Sequence, residues 1–152
     1  MDKKTFNKIT KEIFTEYGFY KKGSKFLLQL KDVSIRVTFS SWRGIKYFGY
    51  NFAINALYDD STPIEDRFDS IVEEKLEHTP SLRGYHAHEI LYEEYSEMEY
   101  KELLSKTLHV TFDPYKTNAL QYLKDNMYCM CLTKRASEYL QSEIWVQQKV
   151  WI

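Results

Sequence analysis

The chain has 152 residues, 43% of them hydrophobic, and a formal net charge of −1 at pH 7. That is enough chain for one α+β domain over residues 1–152 with a sizeable core, and no charge block or Pro/Ser-rich stretch reads as a disordered tail. Behind the charges of Met1-Asp2-Lys3-Lys4-Thr5-Phe6 there is no apolar run, and nowhere do about 18 apolar residues follow one another, so neither a secretory signal nor a membrane span is expected and the cytoplasm is the expected compartment.

In chain order, Phe6, Ile9, Ile13, Phe14 and Tyr17 recur at helical spacing, with Thr5 as cap and Gly18 as stop, which predicts a helix over 6–17. Phe26, Leu28 and Leu30 alternate with Leu27 and Gln29, and Lys31-Asp32 makes a short turn. Val33, Ile35, Val37 and Phe39 then alternate with Ser34, Arg36, Thr38 and Ser40. After Arg43-Gly44, the residues Phe48, Tyr50, Phe52, Ile54 and Ala56 share one face. This period of two predicts an antiparallel meander with the first helix packed on its apolar side. Tyr58–Phe68 is a polar connection, and Ile71–His78 is read as a fourth strand extending the meander, with a helix as the competing assignment.

Ser96-Glu97-Met98-Glu99 has the form of a capping box opening a helix through Leu108. Asp113-Pro114 is expected to start another, through Leu120 and Leu123. Met127–Leu132 is expected as a short buried strand, Thr133–Leu140 as a last helix, and 144–152 as a C-terminal strand, from the alternation of Ile144, Val146, Val150 and Ile152 with Trp145, Gln147, Lys149 and Trp151.

The small net charge conceals segregation. Residues 1–48 hold eleven Lys/Arg against four Asp/Glu, residues 49–104 four against fourteen, and residues 105–152 six against four. Gathered on one surface, the middle third would present a strong acidic field. Within it, Glu89, Glu93, Glu94, Glu97, Glu99 and Glu102 interleave with Tyr85, Tyr92, Tyr95 and Tyr100. Carboxylates steer a basic partner and tyrosine rings supply contact area, so Tyr85, Tyr92, Glu93, Glu94, Tyr95, Glu97 and Tyr100 are the expected partner-binding residues. The competing account is a solvated helix face.

Other constellations point elsewhere. His86-Ala87-His88 places two imidazoles on one side of an extended segment, where Glu89, Glu93 or His78 would complete a metal site of a hydrolase. Histidines satisfied by neighbouring carboxylates are the plainer account. Cys129 and Cys131 are one residue apart, without the C-x-x-C spacing, and Met127, Tyr128, Met130 and Leu132 around them suggest reduced, inert core cysteines. Lys21, Lys22, Lys25, Arg36, Arg43 and Lys46 interleave with Tyr20, Trp42 and Tyr47 as on a nucleic-acid surface, but a pI of about 6.4 and the lack of a recognition motif make nucleic acid an unexpected partner. No nucleophile elbow, P-loop or dinucleotide fingerprint occurs, and five unclustered glycines make no phosphate cradle, so no catalytic residue and no cofactor are expected.

The opening pattern resembles an uncharacterised family of small bacterial cytoplasmic proteins, known as a domain of unknown function. Glu16-Tyr17-Gly18-Phe19, Lys21-Lys22-Gly23-Ser24-Lys25-Phe26 and the strand Val33–Phe39 carry the likeness over the first third of the chain. The resemblance implies a helix followed by a meander, and it brings no active site with it. The functional expectation is a non-enzymatic protein-binding module of the immunity or antitoxin kind, its acidic surface docking a basic protein.

Overall fold

The computed structural model describes residues 1–42, 45–76, 89–142 and 145, with backbone alone at 40–42, 45–47, 75 and 89. Helix α1 spans Lys3–Tyr17 and buries Phe6, Ile9, Thr10 and Phe14. Its cap is Asp2, not Thr5: the Thr5 N–H donates to Asp2 Oδ1 at 2.8 Å, so the helix begins earlier than the apolar pattern shows. Gly18 ends it at φ +124°, a conformation costly for any residue with a Cβ, and its N–H returns to the Phe14 carbonyl.

An antiparallel sheet follows. Strand β1 (Tyr20–Lys22) and β2 (Lys25–Gln29) form a hairpin about Gly23, which has φ +63°, and β3 (Val33–Trp42) and β4 (Ile45–Ile54) complete the meander. Of the fourth strand expected over Ile71–His78, the described residues form β5 (Glu74–Lys75), Glu77 and His78 lying outside them, and β6 (Glu89–Ile90) lies along the same edge of β4. Beside β5, Gly49 makes room for Glu73, whose side chain occupies the place that a Cβ at 49 would take.

One face of the sheet meets the helices through aromatic rings. Phe14 stacks on Phe26 at 4.4 Å between centroids, and Phe112 meets Tyr50 edge-on at 5.1 Å. Each such ring, fully buried, contributes roughly 1.5–3 kcal/mol. The opposite face is covered by residues 55–73 on their way from β4 to β5. Arg36 Nη1 donates to the Glu65 carbonyl at 2.5 Å, and Asn51 Nδ2 to that of Ser70 at 3.2 Å. Ser70 also bridges to Leu132, which joins this connection to the C-terminal part of the chain.

Helix α2 runs from Glu97 to Asn126 and buries Tyr100, Leu104, Leu108, Phe112, Tyr115, Ala119 and Leu123 along one stripe. The capping box opens as expected, with the Glu99 N–H donating to Ser96 Oγ at 3.1 Å. Asp113-Pro114 is not where a second helix starts. The chain passes through Pro114 and leaves helical geometry at Asn118 (φ −149°, ψ 69°), where two helical segments meet at a kink; the second carries Leu120 and Leu123, as expected, but begins beyond Asn118. The residue four before Pro114, Val110, is 48% exposed, so the carbonyl that proline leaves without its N–H partner lies on the solvent side.

The short buried strand expected over 127–132 is instead a 3-10 turn, Met127–Cys129, followed by extended chain with both cysteines exposed. Helix α3 (Lys134–Ser142) matches the last predicted helix and is capped by Thr133, whose Oγ1 accepts from the Ala136 N–H at 3.3 Å. Of the strand expected over 144–152, only Trp145 is described; it is helical and buried, its indole donating to the Leu140 carbonyl.

Asp69 ties these parts together. It has no exposed surface, yet its carboxylate accepts from the Ile54 N–H at 2.8 Å and the Thr133 hydroxyl at 2.9 Å, with Arg135 Nε 3.7 Å away. Replacing it by alanine strands a buried N–H and a hydroxyl. Asp69→Ala should therefore lower unfolding free energy by about 2–4 kcal/mol in urea titration, and Asp69→Asn by roughly half as much, because the amide oxygen still accepts one bond. Equal losses for the two variants would show that packing, not acceptance of hydrogen bonds, sets the cost.

Candidate functional site

Two surfaces gather chemistry-bearing side chains: a ridge at the start of α2 and a cleft between α1 and α2. The ridge begins with a 3-10 turn, Tyr92–Glu94, which passes through Tyr95 into the Ser96 cap. Glu93, Glu94, Glu97, Glu99 and Glu102 are all exposed, with Lys101 as the single base among them. Met98 stands in their midst with 72% of its surface exposed. Part of this placement serves the helix itself, since Glu97 and Glu99 lie in the first turn, where the helix dipole favours anions.

Two of the tyrosines expected to share this surface, Tyr95 and Tyr100, do not. Tyr100 is fully buried and Tyr95 is 5% exposed. Tyr100 falls on the same stripe of α2 as Leu104 and Leu108, and its hydroxyl lies 2.6 Å from Thr10 Oγ1 of α1. Tyr92 is half-buried and stacks on Phe6 at 4.9 Å. The rings thus form the footing of the ridge, fixing it against α1, while the carboxylates and Met98 face outward. Tyr85, His86, His88 and His78 lie outside the described residues, as does the Glu89 side chain. Among the described residues, no group of three or more His, Cys, Asp or Glu side chains is placed to hold a metal ion.

The basic third of the sequence is partly engaged within the fold. Lys22 pairs with Glu65, which holds the lysine above its usual range and the carboxylate below its own. Arg36 spends its guanidinium on Glu65 and Asn51. Tyr20 and Lys21 remain exposed and Lys25 is half-buried; Arg43 and the side chains of Trp42, Lys46 and Tyr47 lie outside the described set.

The cleft, of about 270 Å³, is lined by Ile13, Glu16, Tyr17, Ser105, Leu108, His109 and Lys116. Sequence reasoning missed it, although the spacing of His109 and Asp113 by four residues signals one helix face. His109 Nδ1 sits 3.1 Å from both carboxylate oxygens of Asp113, and the Tyr17 hydroxyl donates to Asp113 Oδ1 at 2.7 Å. Lys116 Nζ lies 3.7 Å from the centre of the Tyr17 ring and donates to the Tyr17 carbonyl. Partial burial would raise the Asp113 carboxyl, but the Tyr17 and His109 donors outweigh it and hold the group below the carboxylate range. The volume is at the small end for a ligand site, and these polar groups serve one another, so the cleft fastens the end of α1 to α2.

With the geometry in view, the protein is an α+β fold with an acidic ridge, and no helix among its described residues is long and apolar enough to cross a membrane. Compared with protein-family models, curated proteins and solved structures, the chain matches none.

Burial, first of all, raises the Tyr17, Tyr100 and Tyr115 hydroxyls far above the ordinary phenol range; Asp113 adds to this at Tyr17 and Tyr50 at Tyr115, while Thr10 opposes it at Tyr100. The folded state therefore keeps these protons more tightly than the unfolded chain. Their stabilisation is complete below a pH of about 10 and is lost as pH rises beyond it. In an alkaline titration, the last tyrosinate absorbance should appear together with loss of helical circular dichroism; full ionisation of all tyrosines in a folded protein would contradict the burial. Tyr17→Phe should move the Asp113 carboxyl up toward its ordinary range, read by NMR, at a stability cost of only about 0.5 kcal/mol because the bond faces solvent.

Proposed function

We propose that the protein is a non-enzymatic binding module of the bacterial cytoplasm whose acidic ridge docks a basic protein, in the manner of an immunity or antitoxin protein neutralising a basic toxin domain. The observation that carries this reading is Met98, 72% exposed in a stretch of chain where Glu93, Glu94, Glu97, Glu99 and Glu102 are exposed as well and Lys101 is the one basic residue. A protruding apolar side chain on a mainly acidic segment suits a partner that offers a small apolar pocket rimmed by Lys and Arg. The carboxylates steer the encounter and exclude acidic competitors, and Met98 supplies adaptable contact area. The ridge is also well anchored, because Tyr92 and Tyr100 pack on Phe6 of α1 and Tyr95 is buried in the core, so little ordering remains to oppose binding. Engagement of Lys22 and Arg36 within the fold weakens the rival nucleic-acid reading.

The test begins with affinity capture from native lysate at low and high salt, followed by titration of the retained protein in purified form. The partner should be basic, its affinity should fall with salt, and reversing Glu93, Glu94 and Glu97 to lysine should weaken it by about 100-fold, mainly through slower association. Met98→Ala should act instead on dissociation. Unchanged binding by the triple reversal would remove the ridge from the interface.

A further inference from the structure

The network that fastens α1 to α2 leaves part of the cleft wall unengaged. Tyr17 gives its hydroxyl proton to Asp113, and Lys116 rests on the Tyr17 ring and carbonyl. Asp113, held ionised, can only accept, so His109 turns a protonated Nδ1 toward it. A neutral His109 ring then keeps a lone pair on Nε2. Among the described residues nothing engages that nitrogen, the Glu16 carboxylate or the Ser105 hydroxyl, and all three side chains line the same cleft. Ser105 stands four residues before His109 on α2, so the two are neighbours on one helix face, with exposed Glu16 across from them at the end of α1.

The chemistry of this wall is one-sided. A carboxylate and an imidazole nitrogen accept hydrogen bonds, and a hydroxyl can join them. Two carboxylates, Glu16 and Asp113, stand at the cleft against one ammonium, Lys116, which is already turned onto Tyr17. Ile13 and Leu108 supply an apolar lining, Leu108 fully buried and Ile13 half-buried. The volume of about 270 Å³ falls just under the range that takes a drug-sized molecule. We infer that the cleft is a binding site for a small aliphatic primary amine, its ammonium on Glu16, His109 Nε2 and Ser105 Oγ and its chain against Ile13 and Leu108. An alkylammonium carries three donors and no acceptor, the complement of the unengaged groups. A carboxylate ligand would meet Glu16 with like charge. The cleft lies further along α2 than the acidic ridge, and it stands whether or not the ridge docks a protein.

The test is a titration of isotope-labelled protein with n-butylamine at neutral pH, followed by NMR. Amide resonances should shift saturably, chiefly over residues 13–17 and 105–116, and butyrate should leave them unmoved. Glu16→Gln should weaken binding about tenfold and Ser105→Ala about threefold, both keeping the circular dichroism of the parent. Glu12→Gln, one turn earlier on α1 and outside the cleft, should bind as the parent does, which separates a site from the general attraction of cations to carboxylates. Shifts that never saturate, shifts centred on Glu93–Glu102, an equal response to butyrate, or parental affinity in Glu16→Gln would each overturn the amine site.

Discussion

The carboxylate of Asp69 sits where water cannot reach it, and the arrangement of the surrounding chain follows from the need to satisfy it. A buried anion without partners is strongly unfavourable, so every group that reaches Asp69 is held in place by that requirement. Ile54 brings the end of β4, Thr133 brings the cap of α3, and Arg135 approaches from the first turn of that helix. The neighbouring backbone repeats the connection, with the Asp69 N–H on Phe52 and the Asp69 carbonyl on Thr133. One residue in a long connection thereby decides how the sheet, its covering segment and the C-terminal helix meet. The extended chain that follows Cys129 is fixed beside the same junction, the Cys131 carbonyl accepting from the Ile71 N–H.

The segregated charge of the sequence divides into two uses in the fold. Part of the acidic middle third is spent inside the molecule: Glu65 takes Lys22, and Asp69 serves as the buried junction. The rest faces outward on the ridge, beside exposed Lys101 and the N-terminal ammonium, which donates to the Tyr92 and Tyr95 carbonyls. A near-zero net charge thus coexists with a mainly acidic ridge, because Lys22 of the basic third meets Glu65 instead. Such a distribution orients an approaching partner without making the whole protein acidic.

Where a single physical period ruled, the fold was legible. Val33–Phe39 and Phe48–Ile54 alternate because one face of each strand meets the helices, and α1 shows its apolar stripe for the same reason. Strand β1 was invisible, since all three of its residues are exposed and no alternation marks them. Pro114 misled because the rule that proline ends helices is statistical, and here the surrounding packing of Phe112 and Tyr115 carries the helix through. On the site, the carboxylates could be read as exposed from their chemistry alone. The tyrosines could not, because an amphipathic ring suits surface and core equally, and only the stripe shared with Leu104 and Leu108 assigns Tyr100 inward. The cysteines were misjudged from apolar neighbours in sequence: Met130 and Leu132 pack against the core, whereas Tyr128 is 85% exposed and both thiols lie at the surface with it.

Strands β5 and β6 pair with β4 at Gly49–Tyr50 and Lys46–Tyr47, in the same antiparallel sense along one edge. Continuing the register of β5, buried Leu76 would fall opposite Phe48, and Glu89 already faces Tyr47. Joined directly, Leu76 and Glu89 would make one unbroken fifth strand, with Glu74, Leu76 and Ile90 sharing its inward side. Residues 74–76 and 89–90 thus lie end to end along one edge of β4, fastened to the same partner strand. A one-residue slip of β4 would turn the inward side chains of both stretches outward together, so the two short pairings guard the register of this edge as one unit.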